Sequence, residues 1–296
     1  MEKSTTQIDQ TSWMQNRLFP TVGDLLAMLG IFFAVQIAVS LFGALVLLFS
    51  GRGVVDLAPT ELGRFVALTS LVSLSVTAVL IWRYRRWRRA PKIRIALGVN
   101  GLNPLLVVWC FALMMAASVV LEPLYELLPV PHQNFGRGGW AFMAVVVIAP
   151  LFEEWICRGL IFGSLRSRYG VVRSMVLSAL VFGLMHVQPV PVLNAFVLGL
   201  VLAFIYHKTN SLWSSVILHA LYNGTAYLLT IMGFEDQSFR SLFGDHTMGY
   251  ATFYGAALIL FVVSFFAIAR VLKTAPKTPL QEGEMSPEEQ KITPTE

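Results

Sequence analysis

Charge is scarce in this chain. Asp, Glu, Lys and Arg make up 13% of its 296 residues, against about 25% in ordinary soluble domains, while 56% of the residues are hydrophobic. That composition excludes a soluble globular domain and points to an integral membrane protein. Alternating strand patterns are missing as well, which excludes an outer-membrane barrel; several apolar runs instead reach the ~17 to 25 residues that carry a helix across a bilayer. The expected fold is all-α, a polytopic transmembrane helical bundle with its site inside the bundle.

Cysteine is almost absent. Cys110 and Cys157 both sit in apolar runs, have no metal-ligand spacing, and read as buried reduced thiols. The first twenty residues hold no short apolar core ahead of a small-residue cleavage site, so the first apolar run reads as a retained span. HExxH, GxSxG and a Gly-rich phosphate loop are also missing. Their absence disfavours a zincin and a serine hydrolase. Neither an internal repeat nor a soluble domain is visible.

What is present organises into eight candidate spans, roughly 22–49, 61–82, 103–128, 140–165, 171–187, 191–207, 212–232 and 250–272. The fifth and sixth are short and joined by a turn around Gln188, Pro189 and Pro191. With the N-terminus inside, only Arg52, Arg64, Arg137 and Arg240 of the 22 Lys and Arg residues fall outside. Both termini are therefore expected in the cytoplasm, with the cell inner membrane as the location. The net charge of +5 then follows from topology and attraction to anionic headgroups, so membrane lipids are expected partners and nucleic acid is not. The expected organisation is a cytoplasmic N-terminal segment (1–20), helices without a motif (21–135), a core (136–232), an extracytoplasmic loop with the last helix (233–273), and a disordered cytoplasmic tail (274–296).

Against that apolar background ionisable residues are conspicuous, because each is costly at membrane depth and is kept mainly for function. Glu153 and Glu154 are adjacent in the fourth span, and Arg158 follows Glu154 by four positions, the favourable order for an ion pair on one helix face. Glu153 lies about 100° around the helix from Glu154 and has no such cation, which leaves it to face a polar cavity as a proton acceptor. The competing reading is a buried ion-pair network that only fixes packing.

His186 closes the fifth span and by itself reads as a packing histidine. His219 and Asn223 are one turn apart on a shared face, where two side-chain donors can hold an oxyanion or simply bond neighbouring helices. Together, a glutamate, two histidines and an asparagine from three spans form a hydrolytic set. His132, His207 and His246 fall at span ends or in loops and read as surface residues. Depth counting sits awkwardly with the set: at 1.5 Å per residue, His219 lies about 10 Å from the inner end of its span and His186 about 22 Å from its own.

Glu153 to Arg158 reads EExxxR, Phe182 to His186 reads FxxxH, and His219 to Asn223 reads HxxxN, in that order. With the stretches Phe196-Val197-Leu198-Gly199-Leu200 and Thr209-Asn210-Ser211-Leu212-Trp213, the region from about 140 to 228 resembles the CPBP intramembrane proteases. That family includes the type II CAAX prenyl proteases and bacterial bacteriocin-processing or immunity proteins. The resemblance implies an intramembrane endopeptidase acting on a membrane-associated peptide or protein, of the prenylated CAAX type in the prenyl proteases of the family. It also implies that Glu153 activates water with His186, that His219 and Asn223 stabilise the oxyanion, and that Glu154 and Arg158 support them. No cofactor is expected, since Asn223 suits an oxyanion hole better than a zinc shell; the zinc alternative would use Glu153, His186 and His219. Two other readings stay open: a non-proteolytic peptide-binding or immunity protein of the same fold, and a proton-coupled transporter using the acids and histidines as a relay.

Overall fold

The computed structural model describes residues 19–99, 101–129, 134–234 and 237–274. Nearly all of the expected N-terminal segment and tail, and His132, lie outside the described residues. Eight helices follow in order: α1 (Val22–Phe49), α2 (Pro59–Trp87), α3 (Pro104–Val120), α4 (139–169), α5 (171–184), α6 (Pro189–Thr209), α7 (Leu212–Ile231) and α8 (Thr247–Thr274). The described residues contain no strand. The protein is a polytopic helical bundle.

Helices α4 and α5 form one run, Gly139–Leu184, bent where Gly170 adopts φ 72° and ψ 177°. A residue with a Cβ rarely adopts that backbone, so glycine supplies the corner. Counting that run once, five helices are long and apolar enough to cross a membrane, and α3 is a shorter apolar helix. Helix α7 has a spanning length but carries Ser214, Ser215, His219 and Asn223, which lower its hydropathy. The third expected span, 103–128, is corrected: α3 stops at Val120, and Glu122–Tyr125 forms a separate turn. Pro123 lacks the N–H that would continue the helix.

The core gathers Met28, Phe32, Cys110, Ile156, Leu160, Phe182 and Leu202 from α1, α3, α4, α5 and α6. Cys110 and Cys157 are buried free thiols, as expected. The basic stretch at the end of α2 does more than set topology. Arg85 is buried and donates to Ser164 Oγ (2.8 Å) and the Pro91 carbonyl (3.0 Å), while Arg88 bridges to Asp24 at 2.7 Å. The following segment then enters the bundle. Ile95 packs on Gly159 of α4, and the Ala96 carbonyl accepts the Leu212 N–H at the start of α7 (2.8 Å).

That insertion resolves the depth mismatch. Leu212 packs in one cluster with Phe162, Tyr206 and Met175, so α7 begins well inside the corner at Gly170. From this shared level, seven residues lead from Leu212 to His219 and seven from Met175 to Phe182. His219 and Phe182 therefore meet, and His186 lies one further turn along.

Candidate active site

Helix α4 is not a uniform α-helix where the acids sit. The short α-helical stretch Ala149–Glu154 lies between two π-helical stretches, Met143–Ile148 and Trp155–Phe162. Such wide turns are rare and concentrate at functional sites. They also leave carbonyls for other donors: Ser178 Oγ on α5 donates to the Cys157 carbonyl (2.9 Å), and Asn223 Nδ2 on α7 donates to the Val145 carbonyl (2.9 Å).

Glu154 and Arg158 form the expected ion pair at 2.9 Å, and both are fully buried. Arg158 also donates to the Gly199 carbonyl on α6 (2.9 Å), and its guanidinium lies 4.5 Å from the Phe182 ring centre. Gly199 is required for that approach, since a Cβ there would stand 3.0 Å from the Ala179 Cα and 3.2 Å from the Phe182 ring. Glu154 has a second partner: its Oε1 lies 3.1 Å from His219 Nδ1. Glu154 Oε1, which already accepts from Arg158, accepts again from Nδ1 of His219, and this fixes the ring and turns Nε2 the other way.

Nε2 faces Glu153, whose Oε2 is 3.8 Å away. That gap is too long for a direct hydrogen bond. The two acids are unequal in exposure: the Glu153 side chain is 16% exposed and that of Glu154 0%. Of the two, only Glu153 is open to its surroundings. His186 stands across the Phe182 ring from His219, with ring centres 5.2 Å and 5.5 Å from Phe182, both edge-on. Its Nδ1 is held at 3.0 Å by the Phe182 carbonyl, so the proton sits on Nδ1 and Nε2 is left as an acceptor.

The structure therefore joins Glu154, Arg158 and His219 directly, sets Glu153 beside them at 3.8 Å from His219, and brings His186 near through Phe182. Asn223 lies one turn beyond His219 with its amide on Val145. Sequence reasoning treated Phe182 only as a motif position; its role as the divider between two histidines and the seat of Arg158 depends on three helices meeting. His207, expected at the surface, is half-buried, and its Nδ1 is enclosed with no partner among the described residues. His246 is exposed as expected. Among the described residues no group of three or more His, Cys, Asp and Glu side chains converges as metal ligands.

Fold and site together define a membrane-embedded helical protein with a buried acid–histidine–arginine cluster. Residues 136–225 match the model of the Rce1-like family, type II CAAX prenyl endopeptidases. The resemblance drawn from the three motifs is thus matched over residues 136–225. It is also 29% identical over 77 residues to "Putative membrane peptidase YdiL" of Bacillus subtilis (strain 168), covering 26% of this chain and 32% of that relative. The match spans about a third of the relative's length. No solved structure matches the chain.

Proposed function

We propose that this protein is an intramembrane endopeptidase in which Glu153 activates water against a peptide bond of a membrane-associated substrate. The observation that carries the reading is the placement of His219, held by Glu154 through Nδ1 and facing Glu153 across 3.8 Å through Nε2. That spacing leaves room for a bridging oxygen between a base and a donor. His186, with Nε2 free to accept, assists in orienting the water; His219, with Asn223 beyond it, stabilises the oxyanion that forms on the carbonyl. No step requires a metal.

An apolar groove supports a membrane-associated substrate. It holds about 460 Å³ between the middle of α1, at Phe32, Phe33, Ile37 and Leu41, and Met185 and Val187 on either side of His186. Ile37, Leu41 and Val187 are among the exposed apolar residues, so the groove opens sideways toward lipid. A lipid-attached or membrane-spanning apolar segment fits there, with its peptide bond delivered to His186. The matched family's description as CAAX prenyl endopeptidases makes prenylated peptides the first class to try. Both termini lie in the cytoplasm in this reading.

Purified protein incubated with prenylated and unprenylated peptide pools, with and without chelator, is the test, read by mass spectrometry. Chelator-resistant cleavage, reduced about 10²- to 10⁴-fold in folded Glu153→Gln, is expected. Wild-type cleavage by that variant would sink the mechanism.

A further inference from the structure

We infer that Pro150 is a positioning residue for hydrolysis, acting by leaving one backbone carbonyl open for Asn223. This deepens the proposed function and rests on Asn223 serving the oxyanion. In the first π-helical stretch the Ala149 N–H is drawn to the Ala144 carbonyl. The next donor in that register, the one due to the Val145 carbonyl, is residue 150. It is proline, which has no N–H. An unpaired carbonyl in an apolar bundle is costly, so it takes a donor from elsewhere. Asn223 Nδ2 supplies it at 2.9 Å.

That bond settles which way the amide points. A carbonyl accepts and cannot donate, so Nδ2 and not Oδ1 faces Val145. One N–H is anchored there, and the second projects from the same nitrogen at a fixed angle. The rest of α7 is held in the same register. Gly224 would place a Cβ 3.7 Å from Val146, and the Tyr227 hydroxyl donates to the Gly138 carbonyl at 2.9 Å. Rotation of the Asn223 side chain is the remaining freedom, and the open Val145 carbonyl removes it. Preset donors of this kind need no reorganisation as charge develops.

Pro150→Ala separates this role from a structural one. The new N–H either bonds Val145 in the wide register or tightens the turn toward Val146, and both loosen the hold on Asn223. Proline inside a helix is otherwise unfavourable, so the melting temperature in detergent should hold or rise. We expect kcat to fall about 10- to 100-fold with KM unchanged. Asn223→Ala should fall at least as far, and the double variant no further than Asn223→Ala alone. An impaired Asn223→Ala beside a Pro150→Ala at the wild-type rate would overturn the inference and leave the proposed function standing. Asn223→Ala at the wild-type rate would remove the oxyanion role and this inference with it. A lowered melting temperature in Pro150→Ala would make the proline merely structural.

Discussion

Glu153 and Glu154 are adjacent carboxylates with different neighbours, and the difference decides their chemistry. Glu154 is enclosed between Arg158 and His219; Glu153 borders the open side of the cluster. Glu154→Gln keeps an oxygen for the His219 Nδ1–H but strands Arg158 as an unpaired cation with no exposure. Leaving one partner of a buried pair alone costs about 3–5 kcal/mol. The expected result is a lower melting temperature together with lower activity, whereas Glu153→Gln should lose activity with the melt unchanged. Thermal denaturation of both variants in one detergent checks the contrast; equal melts would undo it. The pairing of Glu154 with Arg158 was legible from their spacing. Its bond to His219, sixty-five positions away, was not, because nothing local specifies which of two neighbouring acids a distant helix will meet.

Helix α4 shows how one element serves two needs. Its apolar length crosses the membrane, and its two wide stretches present carbonyls that α5 and α7 capture through Ser178 and Asn223. Pro150 signals an irregular helix in the sequence, yet the form that irregularity takes depends on the donor that α7 brings. Helices α5 and α6 meet through glycine. A Cβ on Gly183 would lie 2.8 Å from the Val192 carbonyl, and one on Gly199 would meet Ala179 and Phe182. Gly199→Ala should therefore push α6 from α5 and lift its carbonyl from Arg158, costing about 1–3 kcal/mol and a share of the activity. Melting and cleavage measured side by side test this. A variant as stable and active as the wild type would show that the two helices adjust without loss.

Across the whole molecule, the eight spans expected from hydropathy correspond to eight helices, with α3 shorter than expected. The bias of Lys and Arg is the basis for expecting both ends of the chain on the cytoplasmic side. Green fluorescent protein fused after Thr274 should fluoresce, and alkaline phosphatase inserted in the 237–246 loop should be active; the reverse pattern would invert the orientation. The segment between α2 and α3 reads as a basic cytoplasmic connection, but it threads inward to Gly159 and the start of α7. That insertion sets α7 deep enough for His219 to reach Glu154.

Membrane residence, the number of helices and the pairing of Glu154 with Arg158 were determined by the sequence alone, because apolar length and residue spacing are local properties. The tertiary structure decided which acid holds His219, at what depth α7 begins, and which carbonyl takes Asn223. Each of these is a pairing between helices, and in a bundle with so few polar groups it is set by which buried donors and acceptors come within reach once the apolar faces have packed.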